Sequence, residues 1–294
     1  MKRWILLILA LLLAAIPLLP LTGCGASAGE SRSEAVSDSE LPAVTSELQM
    51  YVFSAGKADA MLLTTEHGTV LVDCGEKGFG QEILSYLEAQ GIDKIDYLII
   101  THFDQDHVGG AAKVINNISV GTVLQNNSPK DSEEYEKYLK AVTNAGIAPV
   151  TVQDSYEFTL DGVLYSVDAP DKSDHMSDDS NNASLVVSVY HGTNSMLLTG
   201  DAQTERLEEL LESGIGAFDL LKVPHHGRED ELMDELVAAV QPKYAVITSS
   251  DEEPEDQQTL AVLEEANVEV FLTRVSPVIV RSDGKTMTVQ YESA

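Results

Sequence analysis

The sequence predicts an α+β fold in which two β-sheets pack face to face with helices outside, a four-layer αβ/βα sandwich. Short apolar runs typical of strands alternate with amphipathic helical patterns in both halves of the chain. Turn residues at Glu66-His67-Gly68 and Asp161-Gly162 join neighbouring runs into hairpins. The chain has 294 residues and is rich in Val, Ile and Leu, so it can bury a substantial core.

The N-terminal segment is typical of an exported protein. Lys2-Arg3 precedes the apolar run Trp4–Leu21, and Leu21-Thr22-Gly23-Cys24 resembles a bacterial lipobox. We therefore expect a lipoprotein signal peptide over residues 1–23, cleavage before Cys24 and a lipid on its sulfur. The alternative is an uncleaved membrane anchor, and either form places the domain at the extracytoplasmic face of the bacterial membrane.

Composition limits the interpretation of the rest of the chain. Residues 24–46 are rich in Ser, Ala, Gly and Glu and lack an apolar period, so we interpret them as a flexible tether to a folded domain over residues 47–294. The net charge of −30 indicates an acidic, solvated surface and argues against broad binding to nucleic acid. If Cys24 carries a lipid, Cys74 lacks a disulfide partner in the chain, and we interpret it as a small buried residue.

The first half of the domain combines strands, three helices and a hairpin. Phe79–Gln90 is predicted to be helical because Ile83, Leu84 and Leu87 share one face and Gly91 can end the helix. The other predicted elements are strands Leu48–Phe53, Ala60–Thr64, Thr69–Val72 and Ile95–Thr101, helices Val108–Ile115 and Ser132–Ala145, and the hairpin Phe158–Val167.

The second half repeats this alternation, which is why we expect two sheets with helices outside. Strands are predicted at Leu185–Tyr190, Ser195–Thr199, Asp219–Val223, Tyr244–Thr248, Val268–Leu272, Val278–Arg281 and Thr286–Tyr291. Helices are predicted at Thr204–Leu211, Glu231–Val240 and Gln257–Ala266.

The segment THFDQDHVGG, residues 101–110, gathers four metal-competent side chains directly after an apolar strand. If the chain stays extended, His102, Asp104 and Asp106 point the same way and His107 approaches from the side. Imidazole and carboxylate ligands suit Zn²⁺, Mn²⁺ or Fe²⁺. The alternative is a polar loop that caps a helix, with Asp106 as the N-cap.

Two further predicted strands end in residues of the same kind. LLTGD ends in Asp201, and KVPHHG carries His225 and His226. Because strand ends on one edge of a sandwich can meet, we expect these side chains to converge with those of THFDQDHVGG. The other three histidines look scattered and are predicted to lie on the surface: His67, His175 and His191.

Taken in this order, the motifs resemble the metallo-β-lactamase fold superfamily over about residues 47–294. The resemblance rests on Asp73-Cys74-Gly75, THFDQDHVGG, Asn182-Ala183-Ser184, LLTGD and KVPHHG. It is most evident for the extracytoplasmic hydrolase domain of ComEC-type competence proteins. The segment Gly56-Lys57-Ala58-Asp59-Ala60 is similar to the GQGDA of that group, and Asp59 matches its Asp.

The resemblance implies a site for two divalent metal ions, Zn or Mn. Together the two ions would activate a hydroxide, and this hydroxide would carry out the hydrolysis. His102 and Asp104 would serve the first metal, Asp106 and His107 would serve the second, and Asp201 would bridge both.

Three further residues complete the implied site. His225 is expected to be an additional ligand, and His226 is expected to donate a proton to the leaving oxygen. Asp106 and His226 are the two catalytic candidates. Asp73, at the end of a strand, would orient the ligands from behind.

The sequence departs from the family pattern at three places. Asp104 stands where most members have a second His, although a carboxylate is usual in the ComEC-like branch. Asn182 and Ser184 lie where many relatives supply another His, and Glu253 replaces a His that could bind metal. An oxygen-rich set of ligands would favour manganese over zinc.

We expect a metal-dependent hydrolase of phosphodiester bonds in nucleic acids or nucleotides. One alternative is hydrolysis of an ester, thioester, lactone or β-lactam on the same fold, and another is a non-catalytic surface-binding lipoprotein that a metal stabilises. The expected partners are the membrane, through the N-terminal lipid, and a small-molecule or nucleic-acid substrate. Three cations are candidates for phosphate contacts or else ordinary surface charges: Lys57, Lys222 and Arg228.

Overall fold

The computed structural model describes residues 41–171 and 179–293. The predicted signal peptide, the lipid site at Cys24, the tether up to residue 40, and His175 lie outside the described residues. Within the described ranges, no helix combines the length and the apolar character needed to span a membrane.

The predicted strands and helices follow one another in the predicted order, and two strands that were not predicted, Ser119–Gln125 and Val150–Thr151, are added to them. Up to residue 168 they are β1 (Leu48–Val52), β2 (Met61–Thr64), β3 (Thr69–Val72), α1 (Gly80–Gln90), β4 (Lys94–Ile100), α2 (Gln105–Val108), α3 (Ala111–Ile115), β5 (Ser119–Gln125), α4 (Glu133–Asn144), β6 (Val150–Thr151), β7 (Ser155–Leu160) and β8 (Val163–Asp168). From residue 186 they are β9 (Val186–His191), β10 (Asn194–Leu198), α5 (Thr204–Glu212), β11 (Leu220–Lys222), α6 (Met233–Val240), β12 (Tyr244–Ile247), α7 (Gln257–Glu265), β13 (Glu269–Leu272), β14 (Val278–Ser282) and β15 (Met287–Tyr291).

These elements build the predicted four-layer sandwich. One sheet has the strand order β15-β14-β1-β2-β3-β4-β5-β6, and the other has the order β13-β12-β11-β10-β9-β8-β7. Apolar side chains of both sheets meet in a central core that includes Met50, Val72, Leu198 and Val246. Helices α1, α3 and α4 cover the outer face of the first sheet, and α5, α6 and α7 cover that of the second. The predicted fold class is thus confirmed.

Local sequence explains the helix ends that were predicted. Gly91 adopts a left-handed conformation with φ 71° at the end of α1, and its N–H donates to the carbonyls of Leu87 and Glu88. The Ser132 side chain begins α4 by accepting a hydrogen bond from the backbone N–H of Tyr135.

The region after β4 differs from the prediction. The chain does not stay extended through Asp106, because Asp104 begins helix α2 and its carbonyl accepts from the N–H groups of His107 and Val108. The predicted helix Val108–Ile115 is correspondingly divided into α2 and α3. At the boundary between α2 and α3, the backbone of Gly110 packs closely against the backbone of Cys74. A Cβ at Gly110 would stand 2.2 Å from the Cys74 carbonyl oxygen. Glycine therefore lets the α2–α3 corner pack against the loop that follows β3.

Parallel strand pairs carry the candidate site residues to one edge of each sheet. Strands β3 and β4 are parallel neighbours, with Val72 opposite Ile99, and lead into Asp73 and His102. Strands β10 and β11 are also parallel neighbours, with Leu198 opposite Lys222. Because parallel strands end on the same side, the segments after β10 and β11 emerge together.

Candidate metal centre

Four side chains from distant segments converge at these strand ends: Asp106, His107, Asp201 and His226. Each offers one ligand atom, and these atoms lie within 4.8 Å of one another. Oδ2 of Asp201 is 3.2 Å from Nε2 of His107 and 3.0 Å from Nε2 of His226. Oδ2 of Asp106 is 3.5 Å from the same nitrogen of His226. Asp201 therefore lies at the centre of the group.

His102 and Asp104 extend this group on one side. The rings of His102 and His107 have centroids 4.0 Å apart, and Nε2 of His102 lies 3.9 Å from Oδ1 of Asp104. Two lysines neutralise the outer carboxylates. Lys130 forms an ion pair with Asp104, and Lys57 lies 3.4 Å from Oδ2 of Asp106.

The donor atoms of this cluster fit a divalent metal ion. Within residues 41–171 and 179–293, the buried Nε2 atoms of His102, His107 and His226 have no hydrogen-bond partner. A buried polar atom without a partner costs about 1–3 kcal/mol, and the nearest compensating atom for His107 and His226 is Oδ2 of Asp201, at 3.2 Å and 3.0 Å. Imidazole nitrogens beside carboxylate oxygens are the ligands that Zn²⁺ and Mn²⁺ use.

The opposite nitrogen of each imidazole is held by a neighbouring group. Nδ1 of His226 lies 3.1 Å from the carbonyl oxygen of Thr248, which can only accept, so in the neutral imidazole Nδ1 carries the proton and the lone pair of Nε2 faces the cluster. Nδ1 of His107 lies 2.8 Å from Oδ2 of Asp73. Nδ1 of His102 contacts the hydroxyls of Thr101 at 3.2 Å and Ser184 at 3.4 Å.

Asp73 fastens this region to the end of β4. Its Oδ1 accepts from the backbone N–H of Thr101 at 2.8 Å, and its Oδ2 accepts from the Thr101 hydroxyl at 2.7 Å. Asp73 has φ 57°, a left-handed conformation that is uncommon for residues other than glycine. This backbone conformation accompanies a carboxylate that faces His107, the orientation that the sequence predicted for Asp73.

Charges in the cluster shift the histidines in opposite directions. Burial lowers the pKa of His107, but Asp201 and Asp73 outweigh burial and raise it well above its ordinary value. The pKa of His226 is also raised, because Asp201 and Asp106 outweigh the effect of burial. Burial and the neighbouring His107 lower the pKa of His102 to about 3. Without a metal ion, the carboxylates therefore favour the protonated forms of His107 and His226.

The structure separates the two adjacent histidines of KVPHHG. His225 and His226 both have positive φ, 47° and 55°, in the turn Pro224–Gly227. His226 joins the cluster, whereas the half-buried His225 lies outside it, with its ring nitrogens near the amides of Gln203 and Asn181. The sequence had placed His225 among the ligands and His226 at the leaving oxygen, whereas in the structure it is His226 that offers a ligand atom to the cluster.

The residues that depart from the family pattern lie at different places. Glu253 is 57% exposed and lies 3.7 Å from Arg228, so it supplies no ligand atom to the cluster. Asn182 accepts hydrogen bonds from the N–H groups at the start of α5. Ser184 does line the site, because its hydroxyl accepts from the N–H of Asp201 at 3.1 Å.

Several expectations for individual side chains are tested directly by burial. Cys74 is buried as predicted, and burial raises the pKa of its thiol. His67 is exposed as predicted, but His191 is buried and its prediction was wrong. The side chain of His191 instead contacts the hydroxyl of Ser282 and the carbonyl oxygen of Ser46, and so connects residues near the start and the end of the domain.

The interpretation of Lys222 as an ordinary surface charge was also wrong. Lys222 is fully buried, and its Nζ lies 2.6 Å from Oδ2 of the equally buried Asp59. Oδ1 of Asp59 accepts from the hydroxyl of Thr248 at 2.6 Å. The apolar neighbours of Lys222 in β11 were the sequence feature that could have indicated burial. Asp59, Asp73 and His107 also lie close enough together to hold a metal ion. Their ligand atoms, however, already take part in the ion pair between Asp59 and Lys222 and in the hydrogen bond between His107 and Asp73.

Comparison with known proteins relates this arrangement to one family. The sequence profile of the Metallo-beta-lactamase superfamily matches residues 54–249. The chain is 30% identical over 255 residues to ComE operon protein 3 of Bacillus subtilis, covering 79% of this chain and 32% of that protein. It is 28% identical over 206 residues to Recombination protein 2 of Haemophilus influenzae, covering 68% of this chain and 24% of that protein. The chain thus spans about a third or less of the length of these relatives.

A solved structure has the same fold. The metallo-beta-lactamase fold protein YhfI from Bacillus subtilis superposes with a TM-score of 0.56 at 13% sequence identity, covering 81% of this chain and 100% of that chain. These matches confirm the predicted resemblance to the metallo-β-lactamase fold and to ComEC-type proteins.

Proposed function

Because the chain belongs to the metallo-beta-lactamase superfamily, we propose that it is a metal-dependent hydrolase of phosphodiester bonds in nucleic acids or nucleotides. The observation that carries this proposal is the convergence of Asp106, His107, Asp201 and His226 beside His102. The phosphodiester class is supported by the similarity to Recombination protein 2, which is named for a process that acts on nucleic acid.

The six candidate ligands would be divided between two ions. Asp106, His107 and His226 would hold one ion, and His102 and Asp104 would hold the other, with Asp201 serving both. Bound divalent ions in such a site supply Lewis acidity, which promotes the ionisation of water and stabilises developing negative charge. Three imidazoles and three carboxylates suit either Zn²⁺ or Mn²⁺.

Residues outside the ligand set orient the ligands and receive the substrate. His107 donates a hydrogen bond from Nδ1 to Asp73, and His226 donates one from Nδ1 to the carbonyl oxygen of Thr248, so both rings are held in place. His225, whose ring centroid is 6.2 Å from that of His226, lies beside the cluster and becomes our candidate for proton donation to the leaving oxygen.

Two lysines at the edge of the cluster favour an anionic substrate. Lys57 and Lys130 are 21% and 35% exposed, and each pairs with a proposed ligand carboxylate. Metal binding by Asp106 and Asp104 would weaken these ion pairs and leave both ammonium groups for a phosphate. The net charge of the chain is −30, so two lysines beside the cluster make this part of the surface more favourable for an anion than the rest.

The proposal includes attachment to the outer face of the cell membrane. It is supported by the lipobox-like LTGC and the apolar run before Cys24. Mass spectrometry of the mature N-terminus from membranes, compared with a Cys24→Ser variant, checks this part: a diacylglyceryl-modified Cys24 supports it, and an unmodified Cys24 in the membrane fraction contradicts it.

Hydrolysis of model substrates tests the proposed reaction. The full chain in detergent is assayed with bis(p-nitrophenyl) phosphate, p-nitrophenyl acetate and nitrocefin, each with Mn²⁺, with Zn²⁺ and with EDTA. We expect metal-dependent turnover of the diester that EDTA abolishes. Turnover of the ester or nitrocefin alone would indicate the other hydrolase class, and metal binding without turnover would indicate a non-catalytic binding protein.

A further inference from the structure

A buried ammonium group lies directly behind the candidate metal centre. Lys222 ends strand β11 and is fully buried between the apolar residues Leu221 and Val223. Removing an ammonium group from water is strongly unfavourable unless close partners compensate for the lost hydration. An apolar side chain would fill this position in the core without that cost, so the fold alone does not require a lysine here.

Besides its ion pair with Asp59, Lys222 contacts the segment that carries Asp201. Its Nζ donates to the carbonyl oxygen of Gly200 at 2.9 Å and lies 3.6 Å from Oδ1 of Asp201. Oδ2 of Asp201 faces the other way, toward Nε2 of His107 and Nε2 of His226. Lys222 thereby makes the two oxygens of Asp201 different, because one faces a cation of the protein and the other faces the imidazoles.

The partner of Lys222 reaches the second side of the cluster. Asp59 holds the ammonium group through Oδ2 and accepts from the Thr248 hydroxyl through Oδ1. The hydroxyl and the carbonyl of Thr248 lie 3.0 Å and 3.1 Å from Nδ1 of His226. A continuous path of polar contacts therefore joins Asp201, Lys222, Asp59, Thr248 and His226.

We propose that Lys222 and Asp59 are positioning residues of the metal centre. Lys222, held in place by Asp59, attracts Oδ1 of Asp201, so that Asp201 presents Oδ2 to a divalent ion. Asp59 also orients His226 through Thr248. This inference rests on the proposed metal binding, but it does not depend on which bond the protein hydrolyses.

Two single variants and their double variant separate a positioning role from a purely structural role. Lys222→Met removes the charge at similar length, and Asp59→Asn keeps the shape of its side chain. Each single variant leaves one buried partner uncompensated and should lower the melting temperature. The double variant Lys222→Met/Asp59→Asn removes both charges and should recover much of this stability. Lys94→Met, at a lysine that is 53% exposed, is the matched control.

The decisive measurements are metal affinity and the Co²⁺ absorption spectrum. Chelator competition with Mn²⁺ and Zn²⁺ should give dissociation constants about 10–100-fold higher for the double variant than for the wild type, as for other residues that orient metal ligands. The d–d bands of the Co²⁺-loaded double variant should shift, and Lys94→Met should match the wild type. If Lys222→Met does not fold, Asp59→Asn and the double variant still provide the comparison.

Two results would overturn the inference in distinguishable ways. A double variant with wild-type metal affinity and an unchanged Co²⁺ spectrum would show that the ion pair serves stability alone, and the proposed function would stand. A wild-type chain that binds no divalent ion would overturn the inference together with the proposed function.

Discussion

Oδ2 of Asp73 lies 2.8 Å from Nδ1 of His107, and both side chains are fully buried. The same carboxylate accepts two hydrogen bonds from Thr101, so it joins the loop after β3, the end of β4 and helix α2. A residue that is distant from THFDQDHVGG in the sequence thus determines how one of its histidines faces the metal centre.

We predict that Asp73→Asn weakens metal binding about 10–100-fold, because the neutral amide orients His107 less strongly. Asn also tolerates the left-handed backbone that Asp73 adopts at φ 57°, so the fold should be retained. Isothermal titration with Mn²⁺ or Zn²⁺ measures the affinity. Wild-type affinity in a folded Asp73→Asn variant would contradict the role of Asp73.

Asp201→Ala should abolish binding of two metal ions, because Asp201 is central to the cluster and contacts both His107 and His226. Metal content measured by plasma mass spectrometry should fall from two ions to one or none, with loss of hydrolysis. Asp251→Ala is a suitable control, since Asp251 is 79% exposed and pairs with Arg274. Full metal content and normal turnover in Asp201→Ala would refute the site.

The two histidines of KVPHHG should respond differently to alanine substitution. His226→Ala removes a member of the cluster and should reduce both metal content and kcat. His225→Ala leaves the cluster intact and should keep the wild-type metal content while lowering kcat about 10²–10⁴-fold, the usual contribution of general acid catalysis. Loss of metal from His225→Ala, with retention in His226→Ala, would restore the assignment suggested by the sequence.

The effect of metal on thermal stability should grow as the pH rises. The pKa values of His107 and His226 in the metal-free protein are raised by carboxylates, despite burial. Their contribution to stability is therefore fully present below the unfolded value of about 6.5 and is lost as pH rises through the folded values. Metal binding displaces these protons and strengthens over the same range.

Melting temperatures with EDTA and with saturating Mn²⁺, recorded from about pH 6.5 upward, check this prediction. The metal-free protein should become less stable with rising pH, and the difference between the two curves should widen. A difference that stays constant or narrows would show that protons and metal do not compete for His107 and His226.

Lys57→Gln and Lys130→Gln should each raise KM for an anionic diester by about two- to fivefold, the range expected for a partly exposed ion pair. KM for a neutral ester should not change, because that substrate lacks the charge that both lysines attract. Lys140→Gln, at an exposed lysine of helix α4, is the control. Equal changes for charged and neutral substrates would contradict substrate binding by Lys57 and Lys130.

Much of the fold follows from local patterns in the sequence. The prediction of Thr69–Val72 agrees with β3 in both bounds, and most other elements differ from the prediction by one or two residues at their ends. Strands β5 and β6 were not predicted. The run SVGTVLQ of β5 contains a glycine and several polar residues, and β6 has two residues, so neither shows a clear apolar period.

The sequence by itself determined the alternation of strands and helices, the family resemblance, and the segments that meet at the candidate metal centre. Their residue types and order along the chain contain that information. Only the tertiary structure decided that His226 joins the cluster in place of His225, that Glu253 faces solvent and that Lys222 is buried against Asp59. The physical reason is that left-handed backbone conformations and contacts between separate sheets depend on packing across the whole domain, which local periodicity does not encode.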